Sequence, residues 1–155
     1  MSEQIDLSDH GPAPYVVDIE SATLQNSNYR STLWTGTNLQ LTVMAIAPGD
    51  DIGLEVHEET DQFLRLEAGK GKCVMGPAKD NLTFEQAVAD DWAIMVPAGT
   101  WHDVINEGDE PMKLYAIYAP VHHAADTVQK TKAEADSDEE AGRDEPPAWT
   151  VQPGK

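Results

Sequence analysis

Apolar and polar residues alternate in short segments through the middle of the chain, and turn residues separate these segments. Residues 39–47 read L-Q-L-T-V-M-A-I-A and are followed by Pro48 and Gly49. Alternation with a period of two is typical of strands that bury one face. No amphipathic segment of helical length stands between these segments, which argues against a parallel α/β sheet. The pattern therefore predicts an all-β protein.

The alternating segments follow one another at intervals of roughly 8–12 residues, which is the spacing of β-sandwiches and barrels. Residues 81–89 are ambiguous, because Thr83 and Gln86 resemble a box that begins a helix, whereas the segment has the length of a strand. Residues 23–28 are polar and indicate a turn. Strands are predicted at 15–19, 29–34, 39–47, 52–57, 62–67, 72–75, 92–96, 102–106 and 112–119.

The composition changes at His122, where a segment begins that is rich in Ala, Asp, Glu and Lys. A short helix is predicted at 128–135, and Trp149 is a candidate for tethering this segment to the barrel. Few apolar residues are available to order it, so the sequence leaves disorder and packing on the barrel both open. The predicted parts are a lead-in with the first strands (1–34), a barrel (35–121) and an acidic C-terminal tail (122–155).

The chain is strongly acidic, with 28 Asp and Glu against ten Lys and Arg, and its formal net charge is −18. Nucleic acid and anionic membranes are poor partners for such a chain, because both require a basic surface. A large negative charge keeps a protein soluble in concentrated salt. The excess therefore suggests a halophile, although an ordinary acidic bacterial protein is the alternative.

The sequence also predicts the compartment. Cys73 is the only cysteine, so no internal disulfide forms, and we interpret it as a small buried apolar residue. The N-terminus lacks a basic region followed by an apolar core, and no apolar run approaches the roughly 20 residues of a spanning helix. We therefore expect a cytoplasmic protein.

Glu55, His57, Gln62 and His102 form a candidate set of metal ligands. Glu55 and His57 are two residues apart on a predicted strand, so their side chains face the same way. Gln62 returns to that face if residues 58–61 make a turn, and His102 arrives from a distant strand. Oxygen and nitrogen ligands without sulfur suit one divalent transition metal. Four protein ligands would fill a tetrahedral zinc site, so open positions favour Mn, Fe, Ni or Co, with Zn as the alternative.

These residues also carry a resemblance to the two sequence motifs of the cupin family. Glu55 stands where the first motif has its first His, Gln62 stands where it has Glu, and Asp91 stands where the second motif begins with Gly. The resemblance covers residues 35–121 and is to small single-domain cupins of the phosphomannose-isomerase-like type. It implies a double-stranded β-helix, or jelly-roll barrel, with one bound metal. The matching residues are Gly49, Glu55, His57, Gln62 and Gly69, then Pro97, Gly99, His102 and Asn106.

Two further groups are candidates for the same site. Tyr115 lies on the last predicted strand and is a candidate acid, base or hydrogen-bonding group, although packing is the simpler interpretation. His122 and His123 begin the tail at one end of the barrel. They could touch the mouth of a pocket, but a solvated pair is the simpler interpretation.

The first functional hypothesis is a metal-dependent enzyme that acts on a small polar molecule, such as a sugar, a sugar acid or a hydroxy or keto compound. A Lewis-acidic metal would support isomerisation, ring opening, elimination or hydrolysis. The alternatives are a non-catalytic module that binds a metal or small molecule, and an iron-dependent dioxygenase. The sequence leaves a homodimer open.

Overall fold

A computed structural model of the chain, which describes residues 3–153, contains two antiparallel sheets that enclose one core. The larger sheet has the strand order β6-β3-β8-β2-β1-β9, and the smaller sheet has the order β5-β4-β7. This is an all-β jelly roll, so the prediction of fold class is confirmed. The elements are α1 (Ile19–Gln25), β1 (Arg30–Thr35), β2 (Gln40–Ile46), β3 (Asp61–Ala68), β4 (Lys70–Gly76), β5 (Phe84–Ala89), β6 (Ala93–Val96), β7 (Trp101–Asn106), β8 (Met112–Ala119), β9 (Val128–Gln129) and α2 (Lys132–Glu140).

The core lies between the sheets and is filled by alternate residues of their strands. In β8, every second side chain from Met112 to Tyr118 is buried, whereas Lys113, Tyr115 and Ile117 are half-buried. These buried side chains belong to the same apolar cluster as Val104 of the smaller sheet. The period-two pattern of the sequence thus predicts which side of the sheet faces inward.

The lead-in differs from its prediction. Residues 15–19 form no strand, and the first residues of the predicted turn at 23–28 belong to a helix. A helix, α1, spans Ile19–Gln25 instead. The carboxylate of Asp18 accepts a hydrogen bond from the backbone N–H of Ser21 at 3.2 Å and so caps the first turn. Ala22 is fully buried in a cluster with Leu33 and Val43, and this contact outweighs the β-branched residues before the helix.

The structure also bears on the predictions for two other segments. The ambiguous residues 81–89 contain a strand, β5, which pairs with β4. Residues 52–57 are not a regular strand, and residues 51–57 are joined to β7 by the isolated bridges Asp51–Ile105 and Glu55–His102. Gly53 between the two bridges has a φ of +91°, which interrupts the extended backbone.

The described part of the tail packs on the barrel. Strand β9 pairs with β1, and α2 follows it. The helix begins at Lys132, later than the predicted start at 128. Thr131 caps it by accepting a hydrogen bond from Glu134 N–H at 3.1 Å. The backbone N–H of Val151 bonds to Thr37 O at 2.9 Å, whereas Trp149, the predicted tether, is 49% exposed. Neither helix of the described chain has the length and apolarity needed to cross a membrane.

Candidate metal centre

The backbone brings Glu55 and His102 side by side although they are far apart in sequence. Glu55 N–H donates to His102 O at 3.0 Å, and His102 N–H donates to Glu55 O at 2.9 Å. This reciprocal pair is one rung of an antiparallel ladder, so the two side chains are neighbours. His57 follows two residues after Glu55, and its carbonyl accepts a hydrogen bond from Gly99 N–H at 2.8 Å.

The three side chains converge on one point. Glu55 Oε1 lies 3.3 Å from His57 Nε2 and 3.8 Å from His102 Nε2. One ligand atom from each residue lies within 4.8 Å of the other two. A metal with bonds of about 2.1 Å holds its ligand atoms roughly 3–4 Å apart. The separations therefore suit a single metal ion.

Unpartnered polar atoms support the same interpretation. His57 Nε2, His102 Nε2 and Gln62 Oε1 are buried and have no hydrogen-bond partner within residues 3–153. A buried polar atom without a partner is destabilising, and a metal ion would supply the missing partner. The Nδ1 of His102 bonds to the carbonyl of Thr100 at 3.0 Å, so Nδ1 carries the proton and Nε2 keeps its lone pair for a metal. The residues present therefore fit a divalent metal.

Gln62 lies on the inner face of the larger sheet, next to a tyrosine that contacts His57. It is 3% exposed and pairs in register with Tyr118 of β8. The ring of Tyr118 lies 5.9 Å from that of His57, edge to face. The structure thus brings Glu55, His57 and His102 together, and the role of Gln62 as a fourth ligand stays a prediction that its unpartnered oxygen supports.

The charge states also suit metal binding. Burial by itself would raise the pKa of Glu55, but His57, whose Nε2 lies 3.3 Å from Glu55 Oε1, and then the charges of Arg30 and His102, lower it to about 2. Burial lowers the pKa of His102. At neutral pH the centre therefore offers a carboxylate and a neutral imidazole, which are the forms that bind metals.

The two tyrosines of β8 occupy different surroundings. Tyr115, the predicted candidate, packs against a second apolar cluster, and its ring lies 6.0 Å from that of Phe63. Tyr118 is the tyrosine beside His57, and burial raises its pKa to about 12. The sequence analysis missed Tyr118, although its register opposite Gln62 is the signal that could have found it. The structure does not bring Tyr115 to the histidines.

His122 and His123 are not a solvated pair, so that interpretation was wrong. The ring of His122 lies 4.0 Å from that of His57, and burial lowers the pKa of His122 to about 3. His123 is 4% exposed, and its Nδ1 bonds to Asp144 Oδ2 at 2.8 Å. The start of the tail is therefore part of the surroundings of the metal centre.

A cavity of about 310 Å³ lies between Glu55 of the metal centre and the tail. This volume is at the lower end of the range for small-molecule sites. The barrel supplies one wall of the cavity and the tail supplies the other. Among the residues of these walls are Arg30 and Glu55 on the barrel side, and His122, Asp136, Glu139 and Asp144 on the tail side.

Known proteins resemble this chain in sequence and in fold. The uncharacterized protein YrkC of Bacillus subtilis is 56% identical over 129 residues, which are 83% of this chain and 69% of that protein. Protein L612 of Acanthamoeba polyphaga mimivirus is 37% identical over 70% of this chain and 67% of its own length. The crystal structure of BH2720 from Bacillus halodurans superposes with a TM-score of 0.83 at 55% identity, covering 84% of this chain and 98% of that one.

A family profile described as Cupin domain matches residues 42–118. That range contains Glu55, His57, Gln62 and His102 and ends at Tyr118, so it holds the whole predicted ligand set. It leaves out α1 and the tail. With the jelly-roll fold and the relatives above, this match shows that the chain belongs to the cupin family.

Proposed function

We propose that the protein is a metal-dependent enzyme that acts on a small polar molecule, such as a sugar, a sugar acid or a hydroxy or keto compound. The observation that supports this most directly is the convergence of Glu55, His57 and His102 with two buried imidazole nitrogens that lack partners. Gln62 is the proposed fourth ligand. Mn, Fe, Ni or Co suits the set better than Zn, because a six-coordinate ion keeps positions open for a substrate.

A bound divalent metal would act as a Lewis acid that polarises a substrate oxygen, which suits isomerisation, ring opening, elimination or hydrolysis. The chain supplies the surroundings for this chemistry. Thr100 O holds the ring of His102 in one orientation, and the charge of Glu55 offsets part of the metal's charge.

The polar lining favours an enzyme over a simple binding module. A module that only holds a metal needs the ligands and an apolar wall. This cavity adds Arg30, His122 and His123, which are buried or half-buried groups that can bind or orient a substrate. A catalytic role is therefore the stronger proposal.

An iron-dependent dioxygenase is a second candidate, because the three converging residues are two histidines and one carboxylate. That combination holds Fe(II) in many oxygenases and leaves positions open. Glu55 precedes both histidines in the chain, so the order of ligands differs from the usual one.

Metal-free protein reconstituted separately with Mn, Fe, Ni, Co and Zn, and assayed against small sugars, sugar acids and hydroxy or keto acids, would test the proposal. We expect turnover that requires one of these metals and is lost in His102→Ala. Glu67→Gln is the matched control, because it removes a carboxylate far from the cavity. Oxygen consumption with iron alone would indicate the dioxygenase. Substrate binding without turnover under any metal would contradict the enzyme and leave the binding module.

A further inference from the structure

Arg30 on β1 places a buried cation in the wall of the cavity. The residue is 6% exposed, and its Nη1 donates to Gln129 Oε1 at 3.1 Å. Its guanidinium carbon lies 5.2 Å from the centroid of the Tyr29 ring. Its Nε is buried and has no hydrogen-bond partner in the described part of the chain.

Arg30 also differs from the other two arginines of the protein. Arg65 Nη2 lies 3.0 Å from Asp91, and Arg143 Nε lies 2.9 Å from Asp138. Within residues 3–153, no carboxylate comes within the 4.0 Å of an ion pair with Arg30. A buried charge is usually paired, because losing water without gaining a counter-ion is costly. Arg30 is therefore a buried arginine without a carboxylate partner, whereas Arg65 and Arg143 each have one.

The charge on Arg30 persists despite burial. Burial by itself would lower the pKa of Arg30, but Tyr118 and Tyr29, followed by Glu55 and Asp144, raise it. The guanidinium therefore stays protonated, and the cavity keeps one positive charge in addition to that of any metal.

Arg30 and Glu55 of the metal centre face the same cavity. His57 and His102 lie behind Glu55, and His122 connects the cavity to them because its ring lies 4.0 Å from that of His57. Resting on the proposed metal-dependent function, we propose that Arg30 binds the carboxylate of a small hydroxy- or keto-carboxylate, so that the remaining oxygens of this substrate face Glu55, His57 and His102.

A carboxylate fits this place better than a phosphate group. The planar guanidinium matches the two oxygens of a carboxylate. Arg30 is the one arginine among the lining residues, and the opposite wall carries the carboxylates of Asp136, Glu139, Asp144 and Glu145, which disfavours a dianion. Asp136, Glu139 and Glu145 are exposed, so water and salt screen their repulsion of a single negative charge. Asp144 is already bonded to His123 and to the backbone N–H of Ala124 at 3.0 Å.

Calorimetric titration with glycolate, glycolamide and inorganic phosphate would test the assignment in both metal-loaded and metal-free protein. Glycolamide is the uncharged match of glycolate. We expect wild-type protein to bind glycolate more tightly than either alternative. Arg30→Gln should weaken glycolate binding by at least about tenfold, which corresponds to one charge-assisted hydrogen bond. Arg65→Gln, at an arginine that does not line the cavity, should leave glycolate binding unchanged.

Thermal unfolding separates a binding role from a structural one. Because Glu55 and Asp144 favour the charge on Arg30, Arg30→Gln should lower the melting temperature of the ligand-free protein, and only wild type should gain further stability from added glycolate. If Arg30→Gln does not fold, Arg30→Lys keeps the charge but loses the planar fork, and it should still weaken glycolate binding. We expect Arg30→Gln and Arg30→Lys to bind as much metal as wild type.

Several results would overturn the assignment. Equal glycolate affinity in wild type and Arg30→Gln would do so, as would no glycolate binding by wild type in either metal state. Phosphate binding that depends on Arg30, without glycolate binding, would overturn the carboxylate class. Failure of the metal proposal looks different: the protein would take up no metal, while glycolate binding by the metal-free protein would still depend on Arg30.

Discussion

Two groups of three potential ligands occur in the described structure, and only one of them has the surroundings of a metal site. Glu55, His57 and His102 form the first group, and Glu67, Asp90 and Asp91 form the second. In both groups the ligand atoms lie within 4.8 Å of one another. Proximity alone therefore does not distinguish a metal centre from a cluster of acids.

The second group already has its cation. Arg65 Nη1 lies 3.0 Å from Glu67 Oε1 as an ion pair, and Arg65 Nη2 donates to Asp91 at 3.0 Å. Asp90 and Asp91 are also exposed, so water solvates them. Glu67 Oε1 and Oε2 make no hydrogen bond, but the ion pair with Arg65 supplies their counter-charge. The first group has buried imidazole nitrogens without partners, and no Lys or Arg of the described residues forms an ion pair with Glu55. The difference teaches that an unmet need for a cation, rather than a cluster of acids, identifies the candidate metal centre.

Removing a ligand from each group should produce the largest contrast. His102→Ala should weaken metal affinity by more than about 100-fold, because even the partners of ligands are worth 10–100-fold. Glu67→Gln should leave affinity unchanged, since Arg65 already serves that carboxylate. Competition with a chelator of known affinity measures both. Equal losses in the two variants would show that the groups are equivalent.

Asp144 lines the same cavity as Glu55, but its carboxylate already has hydrogen-bond partners. Burial by itself would raise its pKa, but the hydrogen bonds from His123 and Ala124 and the charge of Arg30 lower it to about 2. Because the folded pKa lies below the ordinary value of 3.8, Asp144 stabilises the fold above pH 3.8, and this contribution disappears as pH falls through about 2.

Asp144→Asn should therefore reduce the free energy of unfolding by about 2 kcal/mol at neutral pH and much less near pH 2. Denaturant unfolding across this pH range measures the difference. Asp109→Asn, on an exposed turn, is the matched control. A loss of stability that does not depend on pH would contradict the assigned role of the carboxylate.

The smallest effect is expected where the second group loses only its exposed ion pair. Asp91→Asn should cost no more than about 1 kcal/mol, because Asp91 is exposed and solvent screens its pair with Arg65. The second group should bind no metal strongly in wild type or in this variant. Denaturant unfolding gives the first quantity, and the stoichiometry of metal uptake gives the second. A second tightly bound equivalent would contradict the distinction between the groups.

The sequence predicted the barrel and the approximate site because both depend on local patterns. Strict alternation in residues 112–119 reports burial directly, and the spacing of Glu55 and His57 places both side chains together even though Gly53 interrupts the strand. The same alternation places Tyr118 on the inner face with Met112 and Leu114, and Tyr115 on the face of Lys113. Parity did not reveal that Tyr118 pairs with Gln62 on the neighbouring strand.

Other features depend on contacts between distant residues, so no local pattern reveals them. The helix at Ile19–Gln25 is fixed by the burial of Ala22 against β1 and β2. The tail wall depends on the bond between His123 and Asp144, which are 21 residues apart. The absence of an ion pair at Arg30 is likewise visible only when the whole of the described fold is assembled.

Elemental analysis of untagged protein purified without chelator tests the central claim most directly, with Glu55→Ala and His102→Ala measured alongside. The account predicts close to one equivalent of Mn, Fe, Ni, Co or Zn in wild type and none in either variant, with all three proteins folded by circular dichroism. Wild-type protein that holds no metal, even after reconstitution with each of these ions, would contradict it.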